Sequence, residues 1–114
     1  IKVNVAIINN GYLGMVRQWQ QFFYEKRYTA TPILSPDFAK AAEAYGLKGQ
    51  TVRQRSDVIP AAQAARKHPK GAIIDFQVEQ EDSVYPMVPT GAALHEMITR
   101  GGVANPIVET SASV

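Results

Sequence analysis

The sequence contains no cysteine, which excludes disulfides and thiolate metal centres outright. It has only two histidines, His68 and His95. They stand far apart, and each reads as a surface or helix-end residue rather than a catalyst or ligand. Net charge is also scarce: 12 Lys and Arg against 10 Asp and Glu leave +2, with the two signs interspersed. A nucleic-acid stripe needs clustered positive charge, so nucleic acid is not an expected partner. Long apolar runs are missing too. The longest, residues 5–8, is far shorter than a bilayer span, and no membrane association is expected. What is present is a globular balance, 46% hydrophobic and 19% charged in 114 residues. That is enough for one compact domain and too little for two. A soluble cytoplasmic protein is the expectation, or a plastid one in a plant-type source.

The opening Ile1-Lys2-Val3-Asn4-Val5-Ala6-Ile7-Ile8 reads as a strand already under way. The chain is therefore expected to be the C-terminal part of a longer protein, with chemistry upstream of Ile1. Residues 3–8 are β-branched and almost continuously apolar, which predicts a central strand covered on both faces. Asn9-Asn10-Gly11 ends it, because these residues favour turns and tolerate positive φ. From residue 12 to 23 the period changes to that of a helix, through Tyr12, Met15, Val16, Trp19, Phe22 and Phe23. Residues 24–34 carry no period and predict a loop.

The next helix is punctuated by Ser35 as cap, Pro36 at its first position, Asp37 at the positive end and Gly46 after its last turn. Phe38, Ala41, Ala42 and Tyr45 are its expected inner face. Thr51 and Val52 predict a short strand. Ser56 or Asp57 starts a third helix, with Pro60 in its first turn and Pro69 beyond its end. Residues 71–78 predict a third strand, whose Asp75 is expected to be paired or near an edge rather than catalytic. Strands alternating with helices give an α/β fold: a three-layer α/β/α arrangement around a parallel sheet, present here as its C-terminal part. Residues 1–98 are assigned to this domain and residues 99–114 to a disordered tail.

In open α/β sheets, ligands gather beyond the carboxyl ends of strands, near helix N-termini. Residues 9–15 occupy that position. An Asn amide oxygen and an exposed loop carbonyl suit magnesium, a hard cation that takes oxygen ligands, phosphate included. Gly11 and Gly14 let backbone approach a phosphate with no Cβ in the way. Taken alone, Asn-Asn-Gly after a strand is more often an ordinary turn. Met15, Val16, Trp19 and Phe23, taken alone, are more often a core stripe of an amphipathic helix than a site.

The wider string is more specific. Asn9-Asn10-Gly11-Tyr12-Leu13-Gly14-Met15-Val16-Arg17-Gln18-Trp19-Gln20 closely resembles the second half of the thiamine-diphosphate motif in acetolactate synthase (acetohydroxyacid synthase) large subunits. The resemblance continues through Phe23-Tyr24-Glu25, Pro36-Asp37-Phe38 and Ala44-Tyr45-Gly46-Leu47-Lys48-Gly49. It resumes at Val84-Tyr85-Pro86-Met87-Val88-Pro89 and Gly91-Ala92-Ala93-Leu94, and so reaches to about residue 97. Twin asparagines mark the wider superfamily, whereas the Gly-Met-Val-x-Gln-Trp and Tyr-Pro-Met-Val-Pro strings are narrower.

The resemblance implies that Asn10 binds Mg2+ through its side chain and Tyr12 through its backbone carbonyl. It places Asn10, Gly11, Tyr12, Leu13, Gly14 and Met15 along thiamine diphosphate, and Met15, Val16 and Trp19 along the substrate channel. Residues 84–89 would fold back near the active site. The Gly-Asp-Gly that supplies a further magnesium ligand, and the glutamate that activates the cofactor, are absent from these residues and expected upstream. No catalytic residue is therefore expected within the chain, and the chain alone is expected to be inactive. The implied whole enzyme condenses pyruvate with a second 2-keto acid, giving 2-acetolactate or, from 2-ketobutyrate, 2-aceto-2-hydroxybutyrate, in branched-chain amino-acid synthesis. It would carry FAD outside this segment, form a homodimer or tetramer, and accept a small regulatory subunit. Two other readings stand beside this one. Another thiamine-diphosphate carboligase or 2-keto acid decarboxylase should lack Gln18-Trp19. A non-catalytic α/β anion-binding module should lack an upstream Gly-Asp-Gly.

Overall fold

A computed structural model describes residues 1–103. Contacts divide the chain into two units, Ile1–Asp82 and Ser83–Val114.

The first unit runs β1 (Val3–Asn9), α1 (Gly14–Phe23), α2 (Phe38–Ala44), β2 (Lys48–Val52), α3 (Val58–Lys67) and β3 (Gly71–Gln77). The three strands form one parallel sheet in the order β1-β3-β2. Its core is Val52, Ala61, Ala65, Ala72 and Ile74, with Phe76 packed against them, so α3 covers the face to which Val52 points. Gly49 lies three residues from Val52 and therefore faces the other way, because side chains alternate along a strand. A Cβ at Gly49 would overlap the Ala39 carbonyl of α2. The two helices thus cover opposite faces, and the parallel sheet with flanking helices is the expected α/β architecture.

Two expectations about β1 and β3 are corrected. β1 is not a central strand covered on both faces. Among the described residues it has one lateral neighbour, β3, and Val3, Val5 and Ile8 are exposed. Continuous apolarity marks a strand meant for burial but does not say which neighbour buries it. Asp75, conversely, is not near an edge. It sits in the middle strand between Ile7 and Thr51, and it is buried.

The helix boundaries also shift. α2 is capped by Asp37, whose side chain accepts from the Lys40 amide at 3.0 Å, rather than by Ser35. Tyr45 is its C-cap and is exposed, so the inner face is Ala42 with the half-buried Phe38 and Ala41. Gly46 follows with φ +72°, as a helix end requires. Around the third helix, residues Arg55–Asp57 form a 3-10 turn leading into α3, and Pro60 falls in the first turn of α3. α1 starts at Gly14 rather than at residue 12. Its apolar stripe does not form a core here: Met15, Val16, Trp19 and Phe23 are 44–51% exposed, while Arg17 and Gln18 are buried.

The second unit holds a 3-10 turn, Leu94–Glu96, and a hairpin of β4 (Ile98–Thr99) with β5 (Gly102–Val103). Met87 bridges to Ile98. The hairpin takes up the start of the stretch expected as a tail, and the rest of that stretch, 104–114, lies outside the described residues. Among the described residues no helix is long and apolar enough to cross a membrane.

Candidate functional site at the end of the first strand

Where β1 ends, the chain makes two successive side-chain-closed turns. Gly11 N donates to Asn9 Oδ1 at 3.1 Å, and Tyr12 N donates to Asn10 Oδ1 at 3.1 Å. Short amides that bond backbone two residues on are the reason Asn suits such positions. Gly11 has φ +73°, a left-handed conformation that favours glycine. At Gly14 a Cβ would come within 3.2 Å of Asn10 Nδ2, so glycine there leaves the Asn10 amide room to stand.

The loop then pairs with residues 31–33. Ile33 N donates to Gly11 O and Leu13 N to Thr31 O, both at 2.8 Å, around an antiparallel bridge between Tyr12 and Pro32. In such a non-hydrogen-bonded pair the central residues turn their own N–H and C=O away from each other, so Pro32 loses nothing by lacking a donor. Tyr12 N turns instead to Asn10 Oδ1. Its C=O, in the peptide whose Leu13 N–H points to Thr31 O, turns away from residues 31–33. Asn10 Oδ1 and the Tyr12 peptide, both named by the sequence, are thus neighbours in one loop.

α1 anchors this arrangement with polar groups. Gln20 holds the loop that follows it, donating to Thr29 O at 2.9 Å and accepting from Thr29 N at 3.2 Å and Thr31 Oγ1 at 3.4 Å. The buried Arg17 guanidinium reaches Glu81 Oε2 at 2.7 Å. It lies 4.9 Å from the Tyr12 ring centre and 4.4 Å from that of Tyr28. Burial works against its charge, but the Glu81 hydrogen bond and attraction outweigh this and push its pKa up.

Beyond the ends of β1 and β3 opens a cleft of about 530 Å³, lined by Asn9, Asn10, Gly11, Ser35 and Gln77 with Glu79 and Gln80. Val16 and Trp19 lie in a separate groove with Gln20, Tyr24, Arg27 and Thr29. Leu13 and Met15 are exposed beside the loop. The cleft sits where parallel-sheet ligands bind. Among the described residues no three His, Cys, Asp or Glu side chains gather into a metal centre. The oxygen donors of the cleft are the Asn9, Asn10, Gln77 and Gln80 amides, the Ser35 hydroxyl and the Glu79 carboxylate, the hard oxygen type that Mg2+ takes.

Sequence reasoning passed over Arg17, Gln20, Gln77 and Glu81. For Arg17 and Gln20 the signal available was the polar side of α1, which an assumption of inward apolar packing assigns to solvent. His68 has a structural role, its Nδ1 lying 2.9 Å from Gly71 O at the join of α3 and β3. Asp75 stays outside the cleft. Gln77 Nε2 donates to its Oδ2 at 3.5 Å, and its Oδ1 has no partner among the described residues.

Known proteins are similar to this chain in sequence. The acetolactate synthase large subunit of Pyropia yezoensis is 42% identical over 108 residues, covering 93% of this chain and 18% of that protein. Acetolactate synthase of Arthrospira platensis is 45% identical over 93 residues (80% of this chain, 16% of the relative). That of Mycobacterium avium is 41% identical over 109 residues, 90% and 18%. The chain thus spans under a fifth of the length of these relatives. The family described as thiamine pyrophosphate enzyme, C-terminal TPP binding domain, matches residues 1–76. That stretch holds the parallel sheet almost entire, both flanking helices and the Asn9–Asn10 loop, and by it the chain belongs to the thiamine pyrophosphate enzymes, as part of their C-terminal TPP-binding domain.

Proposed function

We propose that this chain is the C-terminal cofactor-holding part of an acetolactate synthase, and that the whole enzyme condenses pyruvate with a second pyruvate or with 2-ketobutyrate in branched-chain amino-acid synthesis. The observation that carries the reading is the identity of 41–45% to proteins of that name across most of the chain. The loop supports it, because it offers two hard donors side by side in sequence, the Asn10 amide oxygen and a Tyr12 carbonyl turned away from residues 31–33.

In this reading Asn10 and Tyr12 hold Mg2+, which ties the diphosphate to the loop. Gly11 and Gly14 keep the approach open, and Leu13 and Met15 border the cofactor. Met15, Val16 and Trp19 form an apolar wall on the substrate side, where they limit water and select the second keto acid. Thiamine diphosphate supplies the electron sink for breaking the bond to the carboxylate carbon; orientation and electrostatics are the protein's share. The activating glutamate and a further metal ligand come from outside these residues, as does FAD. The enzyme works as a cytoplasmic homodimer or tetramer (plastid in a plant-type source), with a small regulatory subunit as a further partner.

The test is to assay the full-length protein for acetolactate from pyruvate, and for 2-aceto-2-hydroxybutyrate when 2-ketobutyrate is added. Both products should require thiamine diphosphate and Mg2+. Pyruvate consumption that releases acetaldehyde, with no acetolactate, would assign the chain to a decarboxylase instead.

A further inference from the structure

Arg17 is a costly residue to place where it is. Its side chain is only 7% exposed, and a buried charge must be fully partnered to be tolerated. Here it has three partners: Glu81 Oε2 at 2.7 Å and the faces of Tyr12 and Tyr28 at 4.9 and 4.4 Å. A planar guanidinium stacks on rings and bonds in its own plane at once, which an ammonium cannot do. The three partners come from three stretches of chain: the loop after β1, the loop after α1, and the segment after β3. Arg17 is itself fixed to the cofactor loop, since its amide donates to Leu13 O at 2.9 Å.

Tyr12 is the point of interest. Its backbone is held by Asn10 Oδ1 on one side and bridged to Pro32 on the other. Its ring, on the same Cα, is held by the guanidinium. With the Tyr12–Leu13 peptide already held by Leu13 N donating to Thr31 O, the clamped ring restrains the Tyr12 Cα from a further direction.

We propose that Arg17 is a positioning residue that sets the direction of the Tyr12 carbonyl toward Mg2+. Glu81 completes the clamp by holding the guanidinium between the two rings. This rests on the reading that Tyr12 and Asn10 hold the metal. Outer groups that orient a metal ligand change affinity by about 10- to 100-fold when removed.

The consequence is specific to metal type. Mg2+ demands a near-ideal octahedron, whereas Ca2+ accepts longer and more varied bonds. A tilted carbonyl therefore penalises Mg2+ more than Ca2+. General loosening of the loop penalises both alike.

The experiment measures thiamine-diphosphate binding to the full-length protein by calorimetry while Mg2+ or Ca2+ is titrated, with no turnover involved. Arg17→Met should raise the half-saturating Mg2+ concentration about tenfold and that of Ca2+ much less. Glu81→Gln, at a side chain 69% exposed, should fold normally and shift the same ratio in the same direction. If Arg17→Met does not fold, Glu81→Gln decides alone. Equal losses for both metals, or an unchanged ratio in the folded variants, overturns the proposal. Asn10→Ala separates it from the reading beneath it. Undiminished metal-dependent binding in Asn10→Ala sinks the metal site itself, whereas weakened binding there with unchanged ratios in the Arg17 and Glu81 variants sinks only the positioning role.

Discussion

Gly49 in β2 lies directly beneath the Ala39 carbonyl of α2, so close that a Cβ at residue 49 would overlap that oxygen. The helix approaches the sheet at this point because there is no side chain between them. Gly49→Ala must push α2 off the sheet, and overpacking of this kind costs about 1–3 kcal/mol or more. The expected outcome is a clearly lowered melting midpoint in the full-length protein. An unchanged midpoint would mean that α2 does not pack as described.

Trp19 separates a substrate wall from a packing role by size. It is 48% exposed in this chain, so Trp19→Leu should alter stability by only about 0.5 kcal/mol, as exposed substitutions do. In the proposed reading its broad apolar surface meets the extra methyl of 2-ketobutyrate, and one methylene is worth about 1–3 kcal/mol in an apolar pocket. The preference of the full-length enzyme for 2-ketobutyrate over pyruvate as second substrate should fall about tenfold. A competition assay run beside a melting curve decides. A lowered midpoint with the product ratio intact would return Trp19 to the core.

Asp37 gives the fold an acid-sensitive point. The hydrogen bond from the Lys40 amide holds its pKa below the ordinary 3.8, with Lys40 Nζ at 3.6 Å adding attraction. A depressed folded value means that the contribution is complete above 3.8 and is lost as pH falls through the folded value. Asp37→Asn keeps an acceptor at the cap but does not titrate. The stability difference between wild type and Asp37→Asn should therefore shrink between about pH 5 and about pH 2. A constant difference across that range, read by urea unfolding, would contradict the assignment.

The exposed edge of β1 predicts behaviour of the isolated chain. Unpaired strand edges with apolar residues such as Val3, Val5 and Ile8 template association. Purified 114-residue chain should self-associate with rising concentration in light scattering, and it should form no acetolactate from pyruvate with cofactor and Mg2+. Turnover by this material would show that the upstream groups are not needed.

Much of this was legible in the sequence, and the larger failures share a cause. The period and punctuation of residues 35–78 located α2, β2, α3 and β3, because caps, Pro60 and Gly46 act locally. The site loop was legible through the Asn9-Asn10-Gly11 string, whose turn chemistry is also local. What failed was the assignment of neighbours. An apolar strand or stripe announces burial without naming its cover, so β1 was expected in the centre and the α1 stripe admitted a core reading. Arg17 and Glu81 escaped because they meet across 64 positions of sequence, and no local pattern signals a pair so distant. Asp75 was expected to be paired or near an edge because a mid-strand carboxylate is costly to bury; it is buried in the middle strand, with Gln77 Nε2 donating to one of its oxygens.

The central claim, that the loop after β1 holds a metal-bound diphosphate through Asn10 and the Tyr12 carbonyl, is tested most directly by equilibrium binding of thiamine diphosphate to the full-length protein with Mg2+. Asn10→Ala removes a hard oxygen ligand and should weaken binding at least about tenfold, or about 1.4 kcal/mol. Tyr12→Phe keeps both the carbonyl and a ring face for Arg17, so it should bind nearly as wild type does. Wild-type affinity in Asn10→Ala, or a loss in Tyr12→Phe as large as that in Asn10→Ala, would contradict the account.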